Sequence, residues 1–385
     1  MSKVEELLEK YNPDGVPNKL LVECSLIDYG YPFTSSMFTD DSSYIPIIRI
    51  RDVKPGKAST YYMGNYSKEY IVKRGDILVG MDGEFNLEKW NDIDSLLNQR
   101  VARITEMPSK STKGYLYHIL GPIFKKIERE ISGGSVKHLS VKIINSISIP
   151  LPHIKVQEEI VKILDSFTNL IDALNEELSL RQKQFEYYRE KLLTFDESNY
   201  VKISSICKRI VSGGTPKTTI DRYYQGNIPW LRTEEVDFCY VYETKKHISE
   251  EAIANSSTKM IPVNCVIIAM YGATAAKCCI NKIPLCTNQA CCNLEIDDTL
   301  ALYKFVFYNI CKEYEKLKSL GEGSQNNISG QKIKDYRIPI PPLAIQQSIV
   351  EKLDAFESLI SSLKEEIALR QKQYEYYREK LLNFN

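Results

Sequence analysis

The segment Ile149–Phe195 reads IPLPHIKVQEEIVKILDSFTNLIDALNEELSLRQKQFEYYREKLLTF, and it returns at Ile338–Phe384 as IPIPPLAIQQSIVEKLDAFESLISSLKEEIALRQKQYEYYREKLLNF. The two copies lie 189 residues apart, and 28 of their 47 positions are identical. Shared helical composition alone does not produce identity that high. The sequence therefore indicates an internal duplication, and a repeat of this kind decides the architecture of a chain.

Apolar residues within each copy recur at alternating spacings of four and three residues. This heptad pattern continues for more than four heptads, which is typical of a coiled coil. Prolines precede each pattern, as expected where a helix begins after a helix breaker. A helix from Gln157 to Leu193 would be about 55 Å long. The seam positions are Ile160, Leu164, Phe167, Ile171, Leu174, Leu178, Arg181, Phe185, Tyr188 and Leu192 in the first copy, and Ile349, Leu353, Phe356, Ile360, Leu363, Ile367, Arg370, Tyr374, Tyr377 and Leu381 in the second.

One seam position in each copy is an arginine, Arg181 and Arg370. A charged residue in a seam costs stability, and it can fix the register of the helices or meet a carboxylate of a partner. The seam residues Arg181, Tyr188, Arg370 and Tyr377 are the predicted partner-binding positions. Two equal helices in one chain can pair with each other, and antiparallel pairing would place one globule at each end. Generic dimerising helices are the alternative.

The duplication divides the chain into four predicted segments. They are a first globule at 1–148, a central spacer helix at 149–198, a second globule at 199–337 and a C-terminal spacer helix at 338–385. Both globules contain short β-branched runs bounded by Gly, Pro and Asn, with apolar helical stretches between them, so each is predicted to be α+β. The expected fold is two α/β globules separated by two long antiparallel coiled-coil helices in a pseudo-twofold repeat.

The two globules show only weak sequence similarity to each other. Asn18–Leu20 with Cys24 resembles Val201–Ile203 with Cys207, and Gly134-Ser135 resembles Gly323-Ser324. We expect two nearly constant helices and two globules that have diverged. The predicted strands are Tyr44–Ile50, Asp76–Val79, Asn98–Ile104, Asn264–Met270 and Ala290–Ile296, and the predicted helices are Leu116–Ile127 and Leu302–Leu317.

Composition limits the possible classes of protein. The 385 residues are 43% hydrophobic and 26% charged, which fits a protein that buries a real core and argues against disorder. The net charge is zero, so wrapping of nucleic acid by the whole surface is not expected, although localised contact is. No apolar run approaches the roughly 20 residues of a membrane span, and the N-terminus has no signal-peptide core. We expect a cytoplasmic protein.

The cysteines predict buried thiols in strands. Nine of the ten lie between Cys207 and Cys311, and their densest stretch has neither a C-x-x-C pair nor a nearby histidine, which zinc sites normally use. Reduced thiols packed as small apolar side chains are therefore expected, with no metal.

Catalytic motifs are missing from the sequence. It contains no phosphate-binding loop, no G-x-G-x-x-G, no G-x-S-x-G elbow and no Asn/Asp-Pro-Pro-Tyr/Phe methyltransferase motif. The four histidines are far apart in the sequence, so the sequence does not indicate a histidine-based acid–base site. Asp82 and Glu84 lie close together after a strand, where a turn is favoured over a metal-nuclease site. We predict no catalytic residue and no metal ligand in this chain.

Basic and aromatic residues on loops are better candidates, in this case for DNA contact. Arginine, lysine, threonine and tyrosine can contact phosphates, and arginine can bind guanine edges with two hydrogen bonds. Glycine permits close approach to a backbone. For each residue the alternative is a solvated loop charge or a half-buried tyrosine. The predicted DNA-binding residues are Arg49, Arg51, Lys54, Lys57, Tyr61, Tyr62, Lys217, Thr218, Arg222, Tyr223, Tyr224 and Arg232.

Two variable globules, each followed by a long helix ending in RQKQ[FY]EYYREKLL[TN]F, resemble the specificity subunit of type I restriction–modification systems, often called HsdS. The resemblance covers the whole chain. Its specific parts also include Gly213-Gly214-Thr215-Pro216 with Asn227-Ile228-Pro229-Trp230, the pattern that opens a target-recognition domain in that family. The first globule departs from this pattern, since Tyr29-Gly30-Tyr31-Pro32 stands in the corresponding place.

The resemblance implies a sequence-specific DNA-binding subunit that is not itself an enzyme. Each target-recognition domain would read one half of a bipartite site in double-stranded DNA, and the helices would set the gap. Two modification (methyltransferase) subunits would dock on the helices and carry the S-adenosylmethionine chemistry, and restriction (translocase and nuclease) subunits would use ATP and magnesium. No cofactor is expected in this chain itself.

Two other functions stay open on the sequence. One is a self-contained type II-like DNA methyltransferase or nuclease, which would need catalytic residues that the sequence does not offer. The other is a coiled-coil scaffold that does not bind DNA, whose globules should not carry basic segments after strands.

Overall fold

The computed structural model describes residues 2–131, 137–322 and 327–384. The chain forms two compact units, one made of Met1–Asn175 with Glu365–Asn385 and the other of Glu176–Lys364. Each unit contains one globule and about half of each long helix. The predicted segment boundaries at 148, 198 and 337 stay a prediction. The resemblance of Gly134-Ser135 to Gly323-Ser324 lies outside the described residues.

The first globule is built from eleven short strands and five helices among the described residues. In chain order, the strands are β1 (Asn18–Leu20), β2 (Ser25–Tyr29), β3 (Phe38–Thr39), β4 (Ile45–Ile48), β5 (Tyr61–Tyr62), β6 (Ile71–Val72), β7 (Ile77–Gly80), β8 (Leu87–Lys89), β9 (Ser95–Leu97), β10 (Val101–Glu106) and β11 (Ser148–Pro150). The helices are α1 (Lys3–Tyr11), α2 (Leu21–Cys24), α3 (Ile50–Val53), α4 (Lys113–Glu130) and α5 (Val141–Ser146), followed by the long helix α6 (Ile154–Leu192).

The second globule follows α6 with a similar series of elements. The strands are β12 (Tyr200–Lys202), β13 (Cys207–Ser212), β14 (Ile228–Leu231), β15 (Cys239–Val241), β16 (His247–Ile248), β17 (Met260–Ile261), β18 (Val266–Ala269), β19 (Cys278–Asn281), β20 (Leu285–Thr287), β21 (Cys291–Ile296) and β22 (Arg337–Pro339). The helices are α7 (Glu250–Ala254), α8 (Tyr303–Lys312), α9 (Tyr314–Ser319) and α10 (Gly330–Asp335), followed by the long helix α11 (Leu343–Leu382).

The larger sheets of the two globules share an order of four strands, and each globule adds one edge strand, β3 in the first and β15 in the second. One sheet runs β2-β10-β7-β8 in the first globule and β13-β21-β18-β19-β15 in the second. The other runs β3-β5-β4-β9-β6 and β16-β14-β20-β17, and each of these contains a central parallel pair, β4 with β9 and β14 with β20. The predicted α+β class is confirmed, and the globules are more alike in structure than their sequences indicate.

The long helices pair antiparallel, as the heptads predict. In the first unit the N-terminal half of α6 packs against the C-terminal half of α11, where the rings of Phe167 and Tyr377 stack with centroids 5.2 Å apart. In the second unit the C-terminal half of α6 packs against the N-terminal half of α11, where Tyr188 stacks on Phe356 at 5.4 Å. The tyrosines Tyr188 and Tyr377 therefore lie in the seam.

The seam arginines bind carboxylates of their own helices. Arg181 Nη2 lies 3.3 Å from Glu177 Oε1, and Arg370 Nε lies 2.8 Å from Glu366 Oε1. Both are pairs four residues apart, which a helix places side by side at its surface. The prediction that Arg181 and Arg370 bind a partner stays a prediction.

The largest apolar cluster of each unit joins part of the globule to its half-helices, while two smaller clusters lie within each globule. In the first unit the sheet residue Ile77, the α4 residue Leu116 and the α6 residue Leu164 belong to one buried cluster. In the second unit Ile268 of the sheet and Leu353 of α11 share the corresponding cluster. Burial of about 25 cal/mol per Å² of apolar surface therefore stabilises globule and helix together.

A buried glutamine near the start of each long helix ties the helix to its globule. In the first unit Gln157 Oε1 accepts a hydrogen bond from Thr112 N–H at 2.9 Å, and Gln157 Nε2 donates to the carbonyls of Lys110 at 2.9 Å and Pro152 at 2.8 Å. In the second unit Gln346 makes the corresponding three bonds. Each glutamine thereby satisfies three backbone groups, of which the proline carbonyl bond is buried and the other two are partly buried.

A second polar link joins the same elements about two helical turns further on. In the first unit His118 on α4 is buried between Asp165 Oδ1 and Tyr374 Oη, each 2.9 Å from a ring nitrogen. Burial lowers the pKa of His118 below its usual value. In the second unit Tyr308 Oη donates to Asp354 Oδ1 at 2.8 Å. The duplicated aspartates therefore receive different partners from the two globules.

The predicted strand cysteines are confirmed. Cys278 and Cys279 lie in β19, Cys286 in β20, and Cys291 and Cys292 in β21, and all five are buried free thiols. Burial raises the pKa of Cys286 to about 11 and that of Cys292 to about 12. These thiols are therefore protonated at neutral pH and pack as small apolar side chains.

One predicted strand is shorter than expected, and one predicted helix is broken. The strand predicted at Tyr44–Ile50 ends at Ile48, because Asp52 caps a helical turn that begins at Ile50. The helix predicted at Leu302–Leu317 is divided at Glu313 into α8 and α9. No described helix has both the length and the apolar character that crossing a membrane requires.

Candidate nucleic-acid interface

Arg49 and Arg232 occupy equivalent positions in the two globules. Each follows a central strand of a sheet, Arg49 after β4 and Arg232 after β14. Each of these strands pairs in parallel with one neighbour, with Ile48 opposite Leu97 and Leu231 opposite Thr287. The two arginines therefore occupy equivalent positions in the tertiary structure of the two globules.

A carboxylate three residues later holds the backbone of each arginine. Arg49 N–H donates to Asp52 Oδ2 at 2.9 Å, and Arg232 N–H donates to Glu235 Oε1 at 3.2 Å. Each carboxylate belongs to the third residue of the helical turn that follows the arginine, which is the position of the acceptor for the N-cap N–H in a capping box. Asp52 is 3% exposed and also accepts a hydrogen bond from the Ser59 hydroxyl. The chain thus leaves each strand along a fixed path, which positions the arginine side chain.

A glycine turn packs beside each of these strand ends. A Cβ at Gly30 would lie 2.0 Å from Asn98 O, and one at Gly213 would lie 2.1 Å from Thr287 O. Only glycine permits backbones to approach so closely. The Tyr29-Gly30-Tyr31-Pro32 stretch, which departs from the family pattern, therefore takes the same place as Gly213-Gly214-Thr215-Pro216.

Two aromatic residues of the second globule support this turn. Trp230 Nε1 donates to Gly214 O at 3.1 Å, and Tyr224 Oη donates to Pro216 O at 2.7 Å. Thr215 donates its hydroxyl hydrogen to Gln289 Oε1. The residues Gly214, Trp230 and Tyr224 therefore have structural roles that leave the neighbouring loop side chains at the surface.

The predicted DNA-binding residues fall into three groups by exposure. Arg51, Lys54, Lys57, Lys217, Thr218 and Arg222 are exposed, and Arg49, Tyr61, Tyr224 and Arg232 are half-buried. Tyr62 and Tyr223 are buried, which corrects the prediction that they contact DNA. Tyr62 packs edge-on against Phe33, and Tyr223 belongs to the cluster around Trp230, so both rings are core residues.

The basic side chains of the predicted set differ in their partners. Arg51 Nη2 donates to Thr60 Oγ1 at 3.2 Å, whereas Arg222 forms an ion pair with Glu251 at 2.8 Å. Arg232 is paired with Glu234, and its Nε is buried without a hydrogen-bond partner. A buried donor without a partner costs about 1–3 kcal/mol, so an acceptor supplied by a bound ligand would remove that cost.

Asp82 and Glu84 form the predicted turn after β7. Gly83 between them has a φ of +73°, a conformation that glycine adopts readily. Asp82 lies 2.5 Å from His138 Nδ1 and 3.4 Å from Arg100, while Glu84 accepts from Asn86. In the part of the chain that the structure describes, no three His, Cys, Asp or Glu side chains are grouped as metal ligands would be.

The long helices carry duplicated apolar side chains outside the seam. Leu180 and Tyr187 on α6 are 58% and 60% exposed, and their counterparts 189 residues later, Leu369 and Tyr376 on α11, are 62% and 60% exposed. Both pairs are large apolar side chains at equivalent positions of the duplicated helices. The heptad pattern does not predict their exposure, because they lie outside the seam.

Comparisons with known proteins agree with this arrangement. The family described as "Type I restriction modification DNA specificity domain" matches residues 26–180 and 196–369. The specificity subunit of the Escherichia coli type I restriction enzymes EcoR124I and EcoR124II is 30% identical over all of this chain and 97% of its own length. A putative type I specificity subunit of Haemophilus influenzae is 30% identical over 84% of this chain and 88% of its own.

A solved structure shows the same fold. The type I restriction–modification S subunit of M. genitalium superposes with a TM-score of 0.62 at 14% sequence identity, covering 95% of this chain and 96% of the other. At that identity the likeness concerns the fold alone. The order of globule and helix along the chain is therefore shared with this structure.

Proposed function

Because the chain belongs to the family of type I restriction–modification specificity subunits, we propose that each globule reads one half of a bipartite DNA target and that the long helices set the gap between the halves. The observation that best supports this is the repetition of one arrangement, a strand end with a capped arginine, at Arg49 and at Arg232. Two globules with the same arrangement but diverged loops could each bind a half-site of different sequence.

The proposed contacts use the arginines, the lysines and the threonine of the predicted set, all of which are exposed or half-buried. Arg49, Arg51, Lys54 and Lys57 serve the first globule, and Arg232 serves the second at the equivalent strand end. Lys217, Thr218 and Arg222 lie on the segment that follows the glycine turn. Arginine at a strand end can bind a guanine edge with two hydrogen bonds, while lysine and threonine contact phosphates.

The exposed helix residues Leu180, Tyr187, Leu369 and Tyr376 are the proposed docking positions for modification subunits. Their repetition suits two copies of one partner, each bound to one helix. The chemistry is assigned to those partners, which would bind S-adenosylmethionine for methylation, while restriction subunits would bind ATP and magnesium. This chain would supply recognition and no catalysis.

The proposal is tested by methyl transfer in a reconstituted system. We expect the purified chain alone to transfer no methyl group, and the chain with its modification subunits to methylate adenine in one bipartite sequence. Sequencing of methylated bases in cells with and without the gene identifies that sequence. Methyl transfer by the partner-free chain would contradict the proposal, as would an unchanged methylation pattern on loss of the gene.

The docking positions carry a separate prediction. Replacing Leu180 and Leu369 with glutamate should reduce binding of the modification subunit at least tenfold, because each leucine buried at an interface contributes about 1.5–3 kcal/mol and a buried carboxylate adds a penalty. Binding is measured by titration with the isolated modification subunit.

The matched control for the docking variant combines Ser179→Glu and Ala368→Glu, because these residues are the exposed neighbours of Leu180 and Leu369 and have no large apolar side chain to lose. These changes add the same charges to the same turns of the helices. They should leave binding of the modification subunit nearly unchanged. An equal loss of binding in the control and in the leucine variant would contradict the assignment.

A further inference from the structure

The segments that follow the two arginine-bearing strand ends have opposite net charge. Residues 49–57 contain four basic side chains and one acidic, a net +3, whereas residues 232–240 contain one basic and three acidic, a net −2. The two segments begin at equivalent positions, since each starts at the capped arginine after a central strand. Arg51 corresponds to Glu234, and Lys54 corresponds to Asp237, two and five residues after the arginine.

The basic side chains of the first segment are largely available to an anion. Its one acidic residue, Asp52, is buried, and the Asp52 carboxylate accepts hydrogen bonds from Arg49 N–H and the Ser59 hydroxyl. Arg51 is 60% exposed, with its Nε 3.8 Å from Asp52, and Lys54 is paired with exposed Glu84 at the same distance. Such loose contacts are worth little in water, so they leave both cations free to meet a phosphate.

The charges of the second segment are arranged in the opposite way. Glu234 is 54% exposed and pairs with Arg232, the arginine at the strand end. Asp237 is 63% exposed and pairs with Lys277 on the loop before β19 at 2.6 Å. Both carboxylates therefore neutralise basic groups at this end of the sheet and would also repel a phosphate backbone brought close to it.

We propose, on the basis of the proposed function, that the two globules divide the work of binding DNA. At the strand end, residues 49–57 of the first globule supply sequence-independent attraction to the phosphates. Glu234 and Asp237 suppress that attraction in the second globule, which engages DNA firmly only where base contacts are correct. Phosphate contacts by Lys and Arg dominate non-specific binding through release of counterions, so removing them from one reader raises its dependence on sequence.

The test uses two charge reversals of opposite sign, Arg51→Glu and Glu234→Arg, in the full chain. The probe is a random-sequence duplex, which measures only non-specific binding, titrated between about 50 and 200 mM salt. We expect Glu234→Arg to bind more tightly and to steepen the dependence of log K on log salt by about 1, and Arg51→Glu to bind more weakly with a slope lower by about 1. Glu234→Gln should give an intermediate gain.

Matched controls reverse the same charges on α1, where Lys3 and Glu9 are exposed. This helix packs near the start of α6, where Lys155 Nζ donates to Tyr11 Oη. Lys3→Glu and Glu9→Arg should leave the slope unchanged. If they shift it as much as the test variants, net charge alone is responsible and the division of work is wrong.

The outcomes separate this inference from the proposed function. A wild-type chain that binds the duplex, with Glu234→Arg and Glu234→Gln leaving affinity and slope unchanged, overturns the inference and leaves the proposed function intact. A wild-type chain that binds no DNA, alone or with its modification subunits, overturns both. Circular dichroism of each variant shows that a change in affinity does not come from unfolding.

Discussion

Replacing Gln346 with leucine should lower the free energy of unfolding of the second unit by about 3–6 kcal/mol. Gln346 is fully buried, and it accepts from Leu302 N–H at 2.9 Å while donating to Leu300 O at 3.2 Å and Pro341 O at 2.7 Å. Leucine has a similar volume but no polar atom. The Pro341 carbonyl would be left buried and unsatisfied, and the partly buried Leu300 carbonyl and Leu302 N–H would also lose their partner. Each loss costs up to about 1–3 kcal/mol, partly offset by the apolar side chain.

The measurement uses the two tryptophans of the chain, which report on different units. Trp90 lies in the first globule and Trp230 in the second, so a Trp90→Phe background makes denaturant unfolding of the second unit visible by fluorescence alone. Gln347 is the matched control, because it is the exposed neighbour and its side chain bonds Glu351 on the helix surface. Gln347→Leu should change stability by less than about 0.5 kcal/mol. A Gln346→Leu variant as stable as this control would contradict the role of the buried amide.

Replacing Arg232 with alanine should relax recognition at one base pair of one half-site, at a cost of about 1–3 kcal/mol, or roughly 5–150-fold in affinity. The guanidinium lies at the end of β14, with its Nε buried and unpartnered. Arginine at a strand end can bind a guanine edge with two hydrogen bonds. Arg49→Ala should do the same in the other half-site, because it occupies the equivalent position after β4.

Sequencing of methylated DNA from cells that carry each variant measures this effect at every position of the target. Arg209→Ala and Arg74→Ala serve as controls, since these arginines bond Glu295 and Asn91 within the protein and lie outside the predicted set. Uniform weakening of all sequences with a salt slope lower by about 1 would assign phosphate contact instead of base contact. If DNA affinity and base preference are both unchanged, the two arginines have structural roles only.

Much of the architecture could be predicted from the sequence, because its signals are local and repeated. The heptads of Ile149–Phe195 and Ile338–Phe384 predicted two long helices and their antiparallel pairing, and both are observed. A period of apolar residues depends only on the geometry of one helix, so it can be read without knowing any other part of the fold. The burial of the strand cysteines was also predicted from a local signal, the spacing of the cysteines, which lacks the ligand pairs of a zinc site.

The site was predicted less completely, because exposure depends on contacts between distant residues. Tyr61 and Tyr62 are neighbours in the sequence, yet Tyr62 packs against Phe33 and is buried. Alternation along a strand sends adjacent side chains to opposite faces, and only the assembled sheet decides which face meets the core. A similar reason explains why Tyr187 is exposed while Tyr188 lies in the helix seam.

The sequence by itself determined the duplication, the long helices, the α+β class of the globules and the lack of a catalytic motif. The tertiary structure alone decided that Gly30 and Gly213 pack closely against the backbones of Asn98 and Thr287, and that Gln157 and Gln346 join helix to globule. Gln157, for example, donates to the carbonyl of Lys110, 47 positions earlier in the chain. Such contacts leave no periodic trace in a sequence, because each depends on where folding brings two distant backbones together.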